Sequence, residues 1–289
     1  MMNDGGTPAG QVQSKRLNWP VFLQLALLAG GCAFAFHEVW SSLWQTWIRS
    51  DDYAHGLLIP PVALYLVWRI HPEVANLQIS PSWTGGWLFF LFSLAYVMAR
   101  FAENATLSAL LMVLVFGSLI LFLAGRQVME MLLFPVFLLF FMIPVPEQLY
   151  AAVTVPLQLF VSKISVGFAQ WLDIPIFRNG NVIQMSSRTL EVVQACSGLR
   201  SLMSLVTLSL IMGYFLLDRN SLRVLLMALA VPVAVLVNCF RVLLAILALH
   251  FFQYDLTDDS VHTLFGALIF IVALGMLYLL QKGLAAWDR

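Results

Sequence analysis

The sequence predicts an all-α polytopic membrane protein that crosses a bilayer about eight times, with one small extracytoplasmic β-hairpin. Three observations carry this. Of 289 residues, 61% are hydrophobic and 10% are charged, whereas a soluble domain is about 45–50% apolar and about 25% charged. Uncharged apolar runs recur along the chain, and a hydrocarbon core of about 30 Å takes about 17–25 helical residues. The runs lack period-2 alternation, so helices rather than a closed barrel must satisfy the backbone in lipid.

In chain order, residues 1–16 form a polar cytoplasmic tail ending in Lys15-Arg16. Leu17–Phe36 is the first span. Ala33-Phe34-Ala35 would suit a signal peptidase, but the run is longer than the roughly 7–15 residues of a signal core, so a retained span is the stronger reading. Further runs lie at Tyr53–Trp68, Trp83–Ala99, Ala105–Gly125, Met131–Pro146, Ser201–Leu217, Val224–Phe240 (extending towards Phe252) and Thr263–Gln281. Tyr53–Trp68 and Met131–Pro146 are slightly short unless flanking residues reach the interface. Residues 17–282 are read as a single transmembrane domain and 283–289 as a cytoplasmic C-terminal tail.

With the N-terminus inside, Lys15, Arg16, Arg69, Arg126, Arg219, Arg223, Lys282 and Arg289 lie inside. Arg49, Arg100, Lys163, Arg178 and Arg188 lie outside, diluted by acids. The bias obeys the positive-inside rule modestly and puts both termini in the cytoplasm. Leu149–Leu172 carries Gln158, Ser162, Lys163 and Ser165. A full crossing there would invert everything after it, so an interfacial or re-entrant helix is preferred. Asp173–Gln194 follows as the outer-face hairpin, with Asn179-Gly180 as its expected type I′ turn.

Net charge is zero, so no nucleic-acid surface is indicated. Cys32, Cys196 and Cys239 are too few and too scattered for a disulfide framework or a zinc site. No cofactor or metal is expected. Three residues nevertheless gather at one depth. Cys196 sits where the hairpin meets the sixth span, at a helix N-terminus whose dipole favours a thiolate. Arg200, four residues on, shares its helix face. Arg241 interrupts the seventh span, on the order of 13 Å below its outer end. Such an arginine costs at least about 2.5–3.5 kcal/mol on insertion scales. His262 opens the eighth span, just after Asp258 and Asp259.

Each has a plainer reading. A lone cysteine is commonly a small buried hydrophobe, Arg241 could be paired with Glu191, and His37, His55 and His250 also lie near the outer boundary. Together, a thiol, a guanidinium and an imidazole are the minimum set for acyl transfer through a thioester.

The residues Glu191-Val192-Val193-Gln194-Ala195-Cys196-Ser197-Gly198-Leu199-Arg200, Asn238-Cys239-Phe240-Arg241-Val242 and His262-Thr263-Leu264-Phe265-Gly266 resemble the exosortase/archaeosortase family of membrane transpeptidases. Asp51-Asp52-Tyr53-Ala54-His55-Gly56 is similar to that family's His-Gly lead into an early span. The resemblance implies a catalytic set of Cys196, Arg241 and His262, with Arg200, Asn238, His55 and Glu191 as substrate-binding candidates. It also implies an inner-membrane enzyme whose site faces the outer leaflet or periplasm. Its substrates would be exported proteins with a C-terminal sorting tail: a Pro-Glu-Pro type motif, a hydrophobic helix and a basic end. Membrane lipids and exopolysaccharide-pathway proteins are the further partners implied. A multi-spanning transporter or exopolysaccharide-assembly subunit is the rival from another class, and would space polar residues through the midplane. A purely hydrolytic intramembrane cysteine protease is the second rival.

Overall fold

A computed structural model describes residues 27–28, 30–185, 188–191, 198–254, 256 and 259–288. Chain contacts divide it into two units, Met1–Ser41 and Ser42–Arg289. In the first, residues 30–35 are helical, and the His37 ring shares a hydrogen bond with the Phe34 carbonyl at 2.9 Å. All that follows concerns the second unit and the helix leading into it.

Helix α1 (His37–Arg49) is followed by a 3-10 helix (Asp51–Leu58) and by α2 (Ile59–Val74), which starts with proline in its first turn. Pro suits that position because its missing N–H would have no helical partner there. Then come α3 (Trp83–Phe101), α4 (Ala105–Ala124) and α5 (Arg126–Leu138), the last running into a 3-10 turn (Leu139–Met142). Asn104 caps α4, its Oδ1 accepting from the Leu107 amide at 2.9 Å. Gly125, at φ +91°, separates α4 from α5 with the Ser80 carbonyl packed against it, so a side chain there would be both strained and blocked.

Helix α6 (Glu147–Trp171) leads to strands β1 (Ile176–Asn179), β2 (Val182–Met185) and β3 (Thr189–Glu191). They form one antiparallel sheet in the order β1-β2-β3. Three helices close the chain: α7 (Gly198–Leu216), α8 (Asn220–Phe252) and α9 (Asp259–Asp288).

Five helices are long and apolar enough to cross a membrane among the described residues: α3, α4, α6, α8 and the Thr263–Asp288 part of α9. Arg200–Leu216 is a shorter apolar helix. The chain is thus largely helical, with a small sheet.

Three expectations shift in detail. The hairpin is real, but Asn179 pairs with Val182, so the loop is Gly180-Asn181, one residue later than expected. Gly180 has φ +64° and Asn181 is not among the positive-φ residues. That is the pattern of a type II′ turn, which places Gly first, rather than I′, which needs two positive φ values. The run at Tyr53–Trp68 begins not as an α-helix but as the 3-10 segment, in which Gly56 lies directly beneath the Trp47 indole, whose Nε1 donates to the Met142 carbonyl at 2.9 Å. Helix α8 runs 33 residues, about 50 Å, reaching Phe252 as the extension of its apolar run indicated but starting at Asn220, four residues before the expected Val224.

Two ends of the bundle can be told apart by contacts. At one, the Tyr150 hydroxyl of α6 donates to Asp52 at 2.7 Å, and Arg200 of α7 pairs with Asp51 and Asp52. At the other, Asp288 accepts from the amides of Asp218 and Arg219, Gln281 donates to the Leu216 carbonyl, and the Arg69 guanidinium lies over Phe215. The start of α6 and the start of α7 therefore lie at the same end of the bundle.

Candidate active site

Helix α8 packs against α6, α7 and α9, and so is the common wall of everything near it. Polar side chains interrupt its apolar surface at Asn238 and Arg241, which the i, i+3 spacing puts on one face. Both are buried, at 4% and 5% exposure. A buried charge is tolerated only where other groups or a cavity receive it. Here a cavity of about 260 Å³ lies between α7, α8 and α9. Its polar lining is Arg200, Ser201 and Ser204 from α7, Asn238 and Arg241 from α8, and Thr263 from α9. Leu205, Ala234, Ile269, Phe270 and Ala273 supply an apolar lower half.

The Arg241 guanidinium crosses towards α9. A Cβ placed on Gly266 would stand 3.2 Å from Arg241 Nη2, and the Phe265 ring centroid is 6.0 Å from Cζ. Residue 262 is one helical turn before Gly266, so the i, i+4 relation puts its backbone position on the same face of α9. The His262 side chain lies outside what the structure describes.

Arg200 is held from the opposite direction. Its Nη2 is 3.0 Å from Asp51 Oδ2 and its Nε is 3.5 Å from Asp52 Oδ1. Asp52 also accepts from the Tyr150 hydroxyl at 2.7 Å, and the Tyr53 hydroxyl donates to the Val145 carbonyl at 3.4 Å. The guanidinium at the cavity edge is therefore shared with two carboxylates before any substrate arrives.

Sequence reasoning placed Arg241, Asn238 and Arg200 at one site, and they do line one cavity. Cys196 falls outside the described residues, and two positions later the chain enters α7 at Gly198. Glu191 pairs through its backbone with Val182 in the sheet, and its side chain is also outside the description. His55 is half-buried in the 3-10 helix and does not line the cavity. Burial pushes its imidazole below the ordinary histidine range, opposed by the carbonyls of Phe141 and Asp52.

The residues that sequence reasoning missed are Asp51 and Asp52 as the partners of Arg200, Tyr150 as the donor to Asp52, and Ser201, Ser204 and Thr263 in the lining. The first two stood in the Asp-Asp-Tyr-Ala-His-Gly stretch and were legible as a motif, but not as a clamp. No group of three or more metal-ligating side chains occurs among the described residues.

A helical protein with several membrane-length apolar helices, and a buried arginine beside a cavity between three of its helices, is a multi-pass membrane protein. More specifically, the family description "transmembrane exosortase" matches residues 44–279, most of the chain, and the protein belongs to that family. No curated protein and no solved structure matches it.

Proposed function

We propose that this chain is a membrane-embedded cysteine transpeptidase that removes the C-terminal sorting tail of exported proteins and passes them to an acceptor. The observation that carries the reading is the buried Arg241 guanidinium, held beside Asn238 in a cavity between three apolar helices. Family membership supplies the class of chemistry.

In the proposed topology the chain crosses an inner membrane eight times. The crossings are Leu17–Phe36, α2, α3, α4, α5, α7, α8 and α9, while α6 and the sheet lie on the outer face. The shared carboxylate of Asp52, which holds Tyr150 and Arg200 at one end, supports this reading of α6. So does Lys163, exposed on the same helix.

The reaction begins when the Cys196 thiolate attacks the scissile carbonyl carbon and forms a C–S bond. Arg241 hydrogen-bonds the oxyanion, with backbone amides at the start of α7 able to assist. The C–N bond then breaks as His262 gives its proton to the leaving amine. That leaves the substrate as a thioester on Cys196. An acceptor next loses its proton to His262, attacks the same carbonyl and breaks the C–S bond, returning the thiolate. Asn238 and Arg200, which line the same cavity as Arg241, are the residues proposed to contact the substrate.

Replacing Cys196 with Ala should leave membrane insertion intact and abolish tail processing. Normal processing by that variant would end the proposal. Mass spectrometry of the released protein's new C-terminus separates the two outcomes of the thioester: an adduct means transfer, and a free carboxylate means hydrolysis.

A further inference from the structure

We infer that Gly266 is a positioning residue for Arg241: the missing side chain at this one position of α9 sets where the guanidinium stands. The inference rests on the catalytic reading of Arg241 given above.

A Cβ at position 266 would lie 3.2 Å from Nη2, 3.7 Å from Cζ and 3.8 Å from Nη1. The guanidinium is thus laid against the α9 backbone, with three of its atoms over one α-carbon. The first distance is shorter than ordinary van der Waals contact, so even a methyl group must displace the charged head by a few tenths of an ångström. The Arg241 stem has little freedom to absorb this at its root, because Val237, Asn238, Val242 and Ala245 around it on α8 are all buried. Displacement therefore falls on the guanidinium, the end that would meet an oxyanion. The backbone cost argues the same way. Glycine within a helix is less favourable than alanine, a cost that close approach of a charged group offsets.

The same helix contains its own control. Gly275 lies nine residues further on, and a Cβ there meets nothing within 4 Å. Nine residues is two and a half turns, so it faces the opposite side of α9. Both substitutions to alanine improve intrinsic helix propensity equally. Only one of them touches the guanidinium.

The test measures kcat and KM for the full chain in native membranes. Its substrate is an exported reporter bearing a C-terminal Pro-Glu-Pro motif, a hydrophobic helix and a basic end. Gly266→Ala should lower kcat about tenfold with KM within about twofold, and Gly266→Val should lower it about a hundredfold, since a misplacement near 1 Å can cost that much. Gly275→Ala should match the parent protein in both constants. The thermal midpoint of Gly266→Ala should be no lower than the parent's, which a merely structural glycine would not predict. In an Arg241→Lys background, whose compact ammonium makes no such approach, Gly266→Ala should change the residual kcat less than about twofold. Parent-level kcat in Gly266→Ala, an equal loss in Gly275→Ala, or an undiminished loss in the lysine background would each overturn the inference. Arg241→Ala separates this from the broader reading: if it still processes the reporter, the catalytic assignment fails; if it does not while Gly266→Ala does, only the positioning role fails.

Discussion

Helix α8 belongs to two cores that are built differently. Towards its Phe252 end, Cys239, Val242, Ile246 and Leu249 pack with Val161, Val166 and Ala169 of α6 and with Ile176, Ile183 and Leu190 of the sheet. Towards its Asn220 end, Leu226, Ala230, Val233 and Val237 pack with Leu205 of α7 and with Ile269, Ala273 and Leu277 of α9. The first core mixes apolar packing with side-chain to backbone bonds. Ser165 donates to the Cys239 carbonyl at 3.0 Å, Ser162 to that of Gly180 at 3.2 Å and Gln170 to that of Ile176 at 3.1 Å. The second is helix against helix, close to what lipid alone would require.

Asn238 and Arg241 lie where α8 passes from one core to the other. A charge is expensive in the helical core and would be hydrated beyond the sheet. At the seam both side chains border the cavity between α7, α8 and α9. The comparison teaches that Asn238 and Arg241 stand on the one helix that both cores share, and it predicts that the two cores pack as separate bodies.

Truncating each core tests that independence, and has the largest expected effect on stability. Ile183→Ala, at a fully buried position in the sheet, should cost about 2–5 kcal/mol. Hydrogen exchange should then show protection lost across 147–191 and retained in 200–216. Leu226→Ala, also fully buried, should cost a similar amount and give the reverse pattern. Loss of protection throughout in both variants would mean one cooperative core, and the two-body description would fall.

A smaller effect is expected where the 3-10 segment ties the two bodies together. Asp52→Asn weakens its contacts to both Arg200 and Tyr150. The expected loss is about 1–2 kcal/mol, at the modest end for bonds to a charged group because the carboxylate is partly exposed. Tail processing should fall with it, and Asp52→Glu should restore part of both. An Asp52→Asn protein equal to the parent in thermal midpoint and processing would show that the clamp holds nothing.

Much of this was readable from the chain, for reasons that differ by residue. Arg241 and Asn238 stood out because they interrupt an apolar run, and Gly180 because the two-residue turn demands positive φ. The reach of α8 to Phe252 was legible, but its start was hidden by Asn220 and Arg223, polar residues that a hydropathy run excludes but a helix extending beyond the lipid tolerates. The partners of Arg200 were hidden for another reason. Asp51 and Asp52 lie almost 150 residues away in sequence, and only the packing of separate elements brings them together. Gly266 was visible as part of a His-x-x-x-Gly pattern, yet its role depends on a guanidinium arriving from another helix.

The central claim is a covalent one, and trapping tests it most directly. The full chain is incubated with the tailed reporter, quenched in acid, digested and read by mass spectrometry. The account predicts a reporter-derived acyl adduct on the Cys196 peptide that hydroxylamine removes, absent from the peptides of Cys32 and Cys239. A reporter that is processed while Cys196 stays unmodified at every time point, or an adduct on either of the other cysteines, would contradict it.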